Sequence, residues 1–186
     1  YKDYFDMMDL TEAIVSSIVL EIHGKFDIPF ENTTLNFQRP WKKLAMVDAV
    51  KEYAGIDIYA HTVEQLRDLA RQNNLEDWEK SKTHREFLVQ FFEGLVEEKL
   101  IQPTFIHDYP VENSPLAKRH RTKEGFTERF ELFIHGMEVG NGFSELNDPV
   151  DQKARFEDQD EKRRLGDVEA QMIDYDFINA LGYGMP

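Results

Sequence analysis

The 186-residue chain contains no cysteine. That excludes disulfides, thiolate nucleophiles and cysteine-ligated zinc, and it fits a reducing compartment. The six histidines are scattered at His23, His61, His84, His107, His120 and His135, so histidine-ligated zinc is not expected either. There is no charged, apolar and then small-residue leader, and no apolar run of about eighteen residues. The chain is therefore expected to be neither secreted nor membrane-spanning, and to work in the cytoplasm. Positive charge is short as well. Lys and Arg number 22 against 36 Asp and Glu, for a formal net charge of −14. Such a chain repels phosphate backbones at long range, so most contact with a nucleic acid would have to come from elsewhere in a larger molecule.

Several nucleotide and hydrolase signatures are also missing. There is no G-x-x-x-x-G-K-[ST], no G-x-G-x-x-G after a strand and no H-E-x-x-H. Ser114 and Lys118 stand four apart, whereas the Ser-x-x-Lys acylation motif needs three, so a serine nucleophile is rejected.

What is present suffices for a core: 41 % of residues are apolar and 12 % aromatic. The length suits one domain, or one domain with an insertion. Residues 1–24 read as a helix from Phe5, Met8, Leu10, Ile14 and Val15 at helical spacing, with one side packing on a sheet. Residues 33–37 and 41–45 read as two short strands joined across Gln38-Arg39-Pro40. Residues 46–53 are expected to be helical. Residues 57–100 are helical and charge-rich, with one stripe through Val63, Leu66 and Leu69 and another through Phe87, Leu88, Phe91, Phe92 and Leu95. They read as a small helical insert. Residues 103–109 suggest a strand, and Pro110 and Pro115 then fix an irregular path. Lys118, Arg119, His120, Arg121 and Lys123 form a basic cluster, read as an exposed loop or, alternatively, as a contact for nucleic-acid phosphates. Residues 149–164 are expected to form a solvated helix capped by Asp148 and anchored by Phe156. A last short helix covers residues 174–181.

Residues 130–148, FELFIHGMEVGNGFSELND, carry the chemistry. Phe130, Leu132 and Ile134 alternate with Glu131, Phe133 and His135, the period of a strand. His135-Gly136 suits a two-residue turn, which would pair Ile134 with Met137 and Phe133 with Glu138. Glu131 and Glu138 then share a face as diagonal neighbours, roughly 7–8 Å apart at the backbone. Converging carboxylates repel unless a cation sits between them. Gly140 and Gly142 suggest a bulge. One extra residue there would bring Asn141, Phe143 and Glu145 onto the same face. The plainer reading is the solvated side of an antiparallel sheet.

The wording of this stretch resembles the class II lysyl-tRNA synthetases, whose strand carries ELF-x-x-G-x-E-x-GNGFSELNDP. The resemblance runs from Tyr1 to Pro186 through TTLNFQRPWKKLAMVDAV, PVENSPLAK and GDVEAQMIDYDFINALGYGMP. It implies an α+β fold with an antiparallel sheet flanked by helices. Residues 1–186 would form part of the catalytic domain and residues 57–100 a helical insertion within it. It also implies ATP-dependent activation of lysine and transfer to tRNA(Lys). Glu131 and Glu138 would hold Mg2+ at the ATP phosphates, Asn141 and Phe143 would bind the substrate, and Glu145 would pair with its ammonium. The opening Tyr1-Lys2-Asp3-Tyr4 resembles the tail of the family's motif 2. The arginines of motifs 2 and 3, motif 1 with its homodimer interface, and the anticodon-binding barrel find no counterpart. Both ends are expected to be cut, and the chain alone is expected to be inactive. Two alternatives are a paralogue that lysylates a protein such as elongation factor P, and a non-catalytic regulatory derivative.

Overall fold

The computed structural model describes residues 2–166, 170 and 172–185. Helix α1 (Tyr4–His23) starts at an Asp3 cap. The Asp3 carboxylate accepts from the amides of Phe5 and Asp6, and Asp6 returns a bond to the Asp3 amide. Two otherwise orphaned donors of the first turn are thereby satisfied. The expected start at Tyr1 lies outside the described residues. The buried line of α1 also differs from the apolar stripe expected. Tyr4, Met8, Glu12 and Ser16 are buried at four-residue spacing, while Phe5, Leu10 and Ile14 are exposed. The reason is polar: Glu12 accepts from the Trp41 amide at 2.9 Å and faces Arg39 and Lys43, so a carboxylate occupies the inward position.

The two strands expected on either side of Gln38-Arg39-Pro40 are both present, in different sheets. Strand β1 (Asp27–Phe30), unforeseen because of Pro29, forms a hairpin with β2 (Thr33–Asn36). Strand β3 (Lys42–Ala45) instead joins a second sheet, parallel to β4 (Thr104–His107). There β4 pairs antiparallel with β5 (Arg129–Ile134), and β5 with β6 (Met137–Phe143), giving the order β3-β4-β5-β6. The larger sheet is thus antiparallel apart from one pair. A parallel pair needs a long crossover, and residues 46–103 supply it. They contain α2 (Met46–Ala54), α3 (Val63–Gln72), α4 (His84–Leu95) and a 3-10 turn, Glu97–Lys99. Thr62 and Thr83 cap α3 and α4 through their hydroxyls.

Strand alternation divides the core between the two faces of this sheet. Phe105, Phe130 and Leu132 pack against Tyr4 and Met8 of α1, with Leu35, Phe37 and Trp41. Ile106 and Phe133 point the other way, into a cluster with Met46 and Val50 of α2, Leu66 of α3, and Phe87, Phe91 and Phe92 of α4. Glu131 has the parity of Phe133, so it emerges on the α4 side.

Helix α5 (Pro149–Arg164) has the expected bounds, and Asp148 caps it. It is not a merely solvated helix. Gln152, Arg155, Phe156 and Asp160 are buried on one side. Arg155 donates to the carbonyls of Ser114 and Ala117, and Gln152 to that of Pro115. Burying this arginine is tolerable because its donors meet oxygens and Asp151 pairs with it. Helix α6 (Tyr175–Gly182) docks Phe177 on Phe156. Among the described residues no helix is long and apolar enough to cross a membrane.

Candidate active-site strand pair

The β5–β6 hairpin turns at His135 (φ 56°) and Gly136 (φ 69°). Two consecutive positive φ values give the turn whose twist suits a two-residue hairpin. Gly136 is also wedged against the 3-10 turn. A Cβ there would lie 3.1 Å from the Glu98 Cα. The observed pairs are Ile134 with Met137, Phe133 with Glu138, Leu132 with Gly140, Glu131 with Asn141 and Arg129 with Phe143. Val139 has no partner, so it is the inserted residue. The bulge therefore falls one residue before the glycines expected to make it. Gly142 serves another purpose: a Cβ there would meet the Phe130 ring at 2.9 Å. Glu138 faces Phe133 on the turn side of the bulge, and the extra residue gives Asn141 and Phe143 the parity that sets them opposite Glu131 and Arg129 on the same face.

Four of the five site residues thus share a face. Asn141 Nδ2 donates to Glu138 Oε1 at 2.9 Å, and both residues are exposed. Glu131 is only 7 % exposed and is held from two sides. Tyr109 donates its hydroxyl to Oε2 at 2.7 Å, and Arg129 Nη2 donates to Oε1 at 2.6 Å. Glu145 lies past the end of β6, bridged to Ala117 of the 110–118 segment. It is exposed, and among the described residues its side chain makes no hydrogen bond or ion pair with the other four. Burial of its inner part raises its pKa.

The electrostatics are those of an acidic rim. Burial raises the pKa of Glu131; the Arg129 charge and the Tyr109 hydrogen bond pull it down, and the Glu138 charge pushes it up. Burial, then the charge and hydrogen bond of Glu131, hold the Tyr109 phenol well above its ordinary value. Glu97, from the 3-10 turn, is pushed up to about 7, first by burial and then by the charges of Glu93, Glu131 and Glu138. Among the described residues no three acidic or histidine side chains form a metal cage by themselves. Magnesium does not require one: it usually takes one or two carboxylates and completes its shell with water and substrate phosphates. Two hard oxygen donors in an acidic environment with a single guanidinium fit that mode.

Arg129, Tyr109 and Glu97 were not anticipated. Arg129 was within reach of sequence reasoning, because it stands two residues before Glu131 on the same strand and so on the same face. Tyr109 and Glu97 depend on the β4–β5 pairing and on the crossover, and nothing local announces either.

Three cations of the basic cluster are paired with carboxylates, and a fourth bonds a side-chain amide. Lys118 donates to Asn147, Arg119 pairs with Asp151, and Arg121 with Glu128 and Asp3. Lys123 pairs with Asp108, which also accepts from the Tyr4 hydroxyl at 2.8 Å. These cations lock the 118–123 loop to α1, α5 and the end of β4.

A family model described as tRNA synthetases class II (D, K and N) matches residues 1–186. A protein named lysine–tRNA ligase 2 from Methanosarcina mazei is 61 % identical over the whole chain, which covers 36 % of that relative. Lysine–tRNA ligases from Methanospirillum hungatei and Thermoanaerobacter pseudethanolicus are 61 % and 50 % identical, again over the whole chain, which covers 37 % of each. The chain therefore spans little more than a third of the length of these relatives.

Proposed function

Because the chain belongs to the class II tRNA synthetases of the D, K and N group, we propose that it is part of the catalytic domain of a lysine–tRNA ligase. In the whole protein the lysine carboxylate would attack the α-phosphorus of ATP, and pyrophosphate would leave. The terminal hydroxyl of tRNA(Lys) would then take the lysyl group from the adenylate. Chemistry of this kind depends on positioning and charge neutralisation more than on a protein nucleophile. The observation that supports the reading is the Val139 bulge, which sets Glu131, Glu138, Asn141 and Phe143 on one face of the strand pair.

On that face each residue has a task its chemistry suits. Glu131 and Glu138 would hold Mg2+, which when bound offsets the charge of the ATP phosphates. Asn141, fixed by its bond to Glu138, would offer its remaining amide capacity to lysine. Phe143 would pack along the aliphatic stem. Glu145, whose side chain has no hydrogen-bond or ion-pair partner among the described residues, would receive the ε-ammonium. Residues 57–100 would be a helical insertion of the same domain. The chain covers about a third of such relatives, so by itself it is not expected to activate lysine.

The test is amino-acid-dependent exchange between ATP and pyrophosphate by the full-length protein. Lysine should support exchange far above the other amino acids, and tRNA(Lys) should then be charged. Exchange that is indifferent to lysine would overturn the reading. Lysine-dependent labelling of elongation factor P without charging of tRNA(Lys) would replace it with the protein-modifying alternative.

A further inference from the structure

Arg129 has more to do than its position beside Glu131 requires. Its Nη1 donates to the Asn113 carbonyl at 2.6 Å and reaches the Ser114 hydroxyl at 3.2 Å. Its Nη2 donates to Glu131 Oε1 at 2.6 Å, and its guanidinium lies 4.9 Å from the centre of the Tyr109 ring. Tyr109 in turn donates to the other oxygen of Glu131. Nε, by contrast, is buried with no hydrogen-bond partner among the described residues. A buried unpaired donor costs stability, so this conformation is dictated by what the rest of the guanidinium holds.

We propose that Arg129 is a positioning residue that fixes Glu131 for the metal and ties it to the 113–114 turn. The proposal rests on the reading of Glu131 and Glu138 as magnesium carboxylates. A carboxylate has about four lone-pair sites. Arg129 and Tyr109 spend one on each oxygen, which locks the side chain and leaves one on each for a cation. Holding a ligand in place in this way is what outer partners of metal ligands do, and their loss commonly weakens metal affinity by about 10–100-fold. The fork matters, because a lysine at 129 could not bond Glu131 and the 113–114 turn at the same time with fixed geometry.

The test is a titration of the full-length protein with Mn2+ in the presence of an ATP analogue bearing a methylene between its α- and β-phosphorus. Free Mn2+ is read by electron paramagnetic resonance. Arg129→Gln should weaken Mn2+ at least about tenfold while changing KM for lysine little, and Arg129→Lys should fall between it and the parent. Millimolar guanidinium should restore part of the affinity of Arg129→Ala, which a merely structural arginine would not allow. If Arg129→Gln does not fold, Arg129→Lys, which keeps the charge and the stem, decides by the same comparison. Mn2+ affinity within about threefold of the parent in the folded variant would overturn the inference. Glu138→Gln is the control for the underlying reading. If it too leaves Mn2+ affinity unchanged, the magnesium assignment has failed; if it weakens binding while the Arg129 variants do not, only the role of Arg129 has failed.

Discussion

Asn141 hands a hydrogen to Glu138 at 2.9 Å although an unpaired residue, Val139, has been spliced between the strand registers to which they belong. The side-chain period of a strand is two, so one residue more or less moves everything downstream to the other face. Deleting Val139 should therefore swing Asn141 and Phe143 away from Glu131 while leaving β5 in place. In the full-length protein we expect lysine-dependent pyrophosphate exchange to fall at least about a hundredfold with an unchanged circular dichroism spectrum. Activity close to the parent would mean that the register of β6 does not assemble the site.

Glu145 stands apart from the other four, and among the described residues its side chain makes no hydrogen bond or ion pair. Glu145→Gln should accordingly leave the unfolding midpoint unchanged. Removing an anion that pairs with a buried ammonium is costly, because the partner charge is left uncompensated. Lysine activation by the full-length variant should drop by about a hundredfold or more. A drop of less than about threefold would dismiss Glu145 as the specificity residue.

Asp151 joins α5 to the basic loop. The Arg119 hydrogen bond, helped by Arg155 and opposed by burial, holds its carboxyl at about 2, below the usual 3.8. The folded-state pKa is the lower one, so the stabilisation is fully present above about 3.8 and is lost as pH falls through about 2. The denaturation midpoint of the full-length protein should show a steeper acid loss for the parent than for Asp151→Asn in that window. Parallel curves would show that the pair contributes nothing.

Glu97 has the opposite sign. Its folded-state value of about 7 lies above the ordinary 4.5, so the folded state favours the protonated acid. Ionisation there opposes folding, and stability should decline as pH rises from about 4.5 to about 7. With divalent cations chelated, Glu97→Gln should flatten that decline and raise the Tm at pH 8 relative to the parent. An unchanged Tm at pH 8 would mean that Glu97 escapes the acidic rim by turning to solvent.

What the sequence disclosed was local. The alternation of Phe130 to His135, the positive-φ demand met at His135-Gly136 and the Asp148-Pro149 start of α5 each involve a few neighbouring residues, and each was legible. The need for a bulge was legible from the broken parity after Glu138. Its place at Val139 was not, because the adjacent glycines look like the cause when Gly142 is there to clear the Phe130 ring. Non-local choices were hidden. Apolar residues lie on several sides of α1, and only the Glu12–Trp41 bond reveals which side turns inward. The β3–β4 parallel pair joins segments about sixty residues apart in sequence. Arg155 reads as surface charge until the carbonyls of Ser114 and Ala117 are seen beside it.

The Val139 bulge has a second effect. Strand β6 is terminal in the described sheet, and its outer side offers backbone donors and acceptors along seven residues. Met137 and Val139 are exposed on it. A straight strand of that kind is a template on which another chain can grow a sheet. The inserted residue interrupts the even spacing of those groups and increases the local twist. An incoming strand would find a regular ladder only on either side of the break. The irregularity that brings the candidate site residues onto one face therefore also makes this edge a poorer template for another strand.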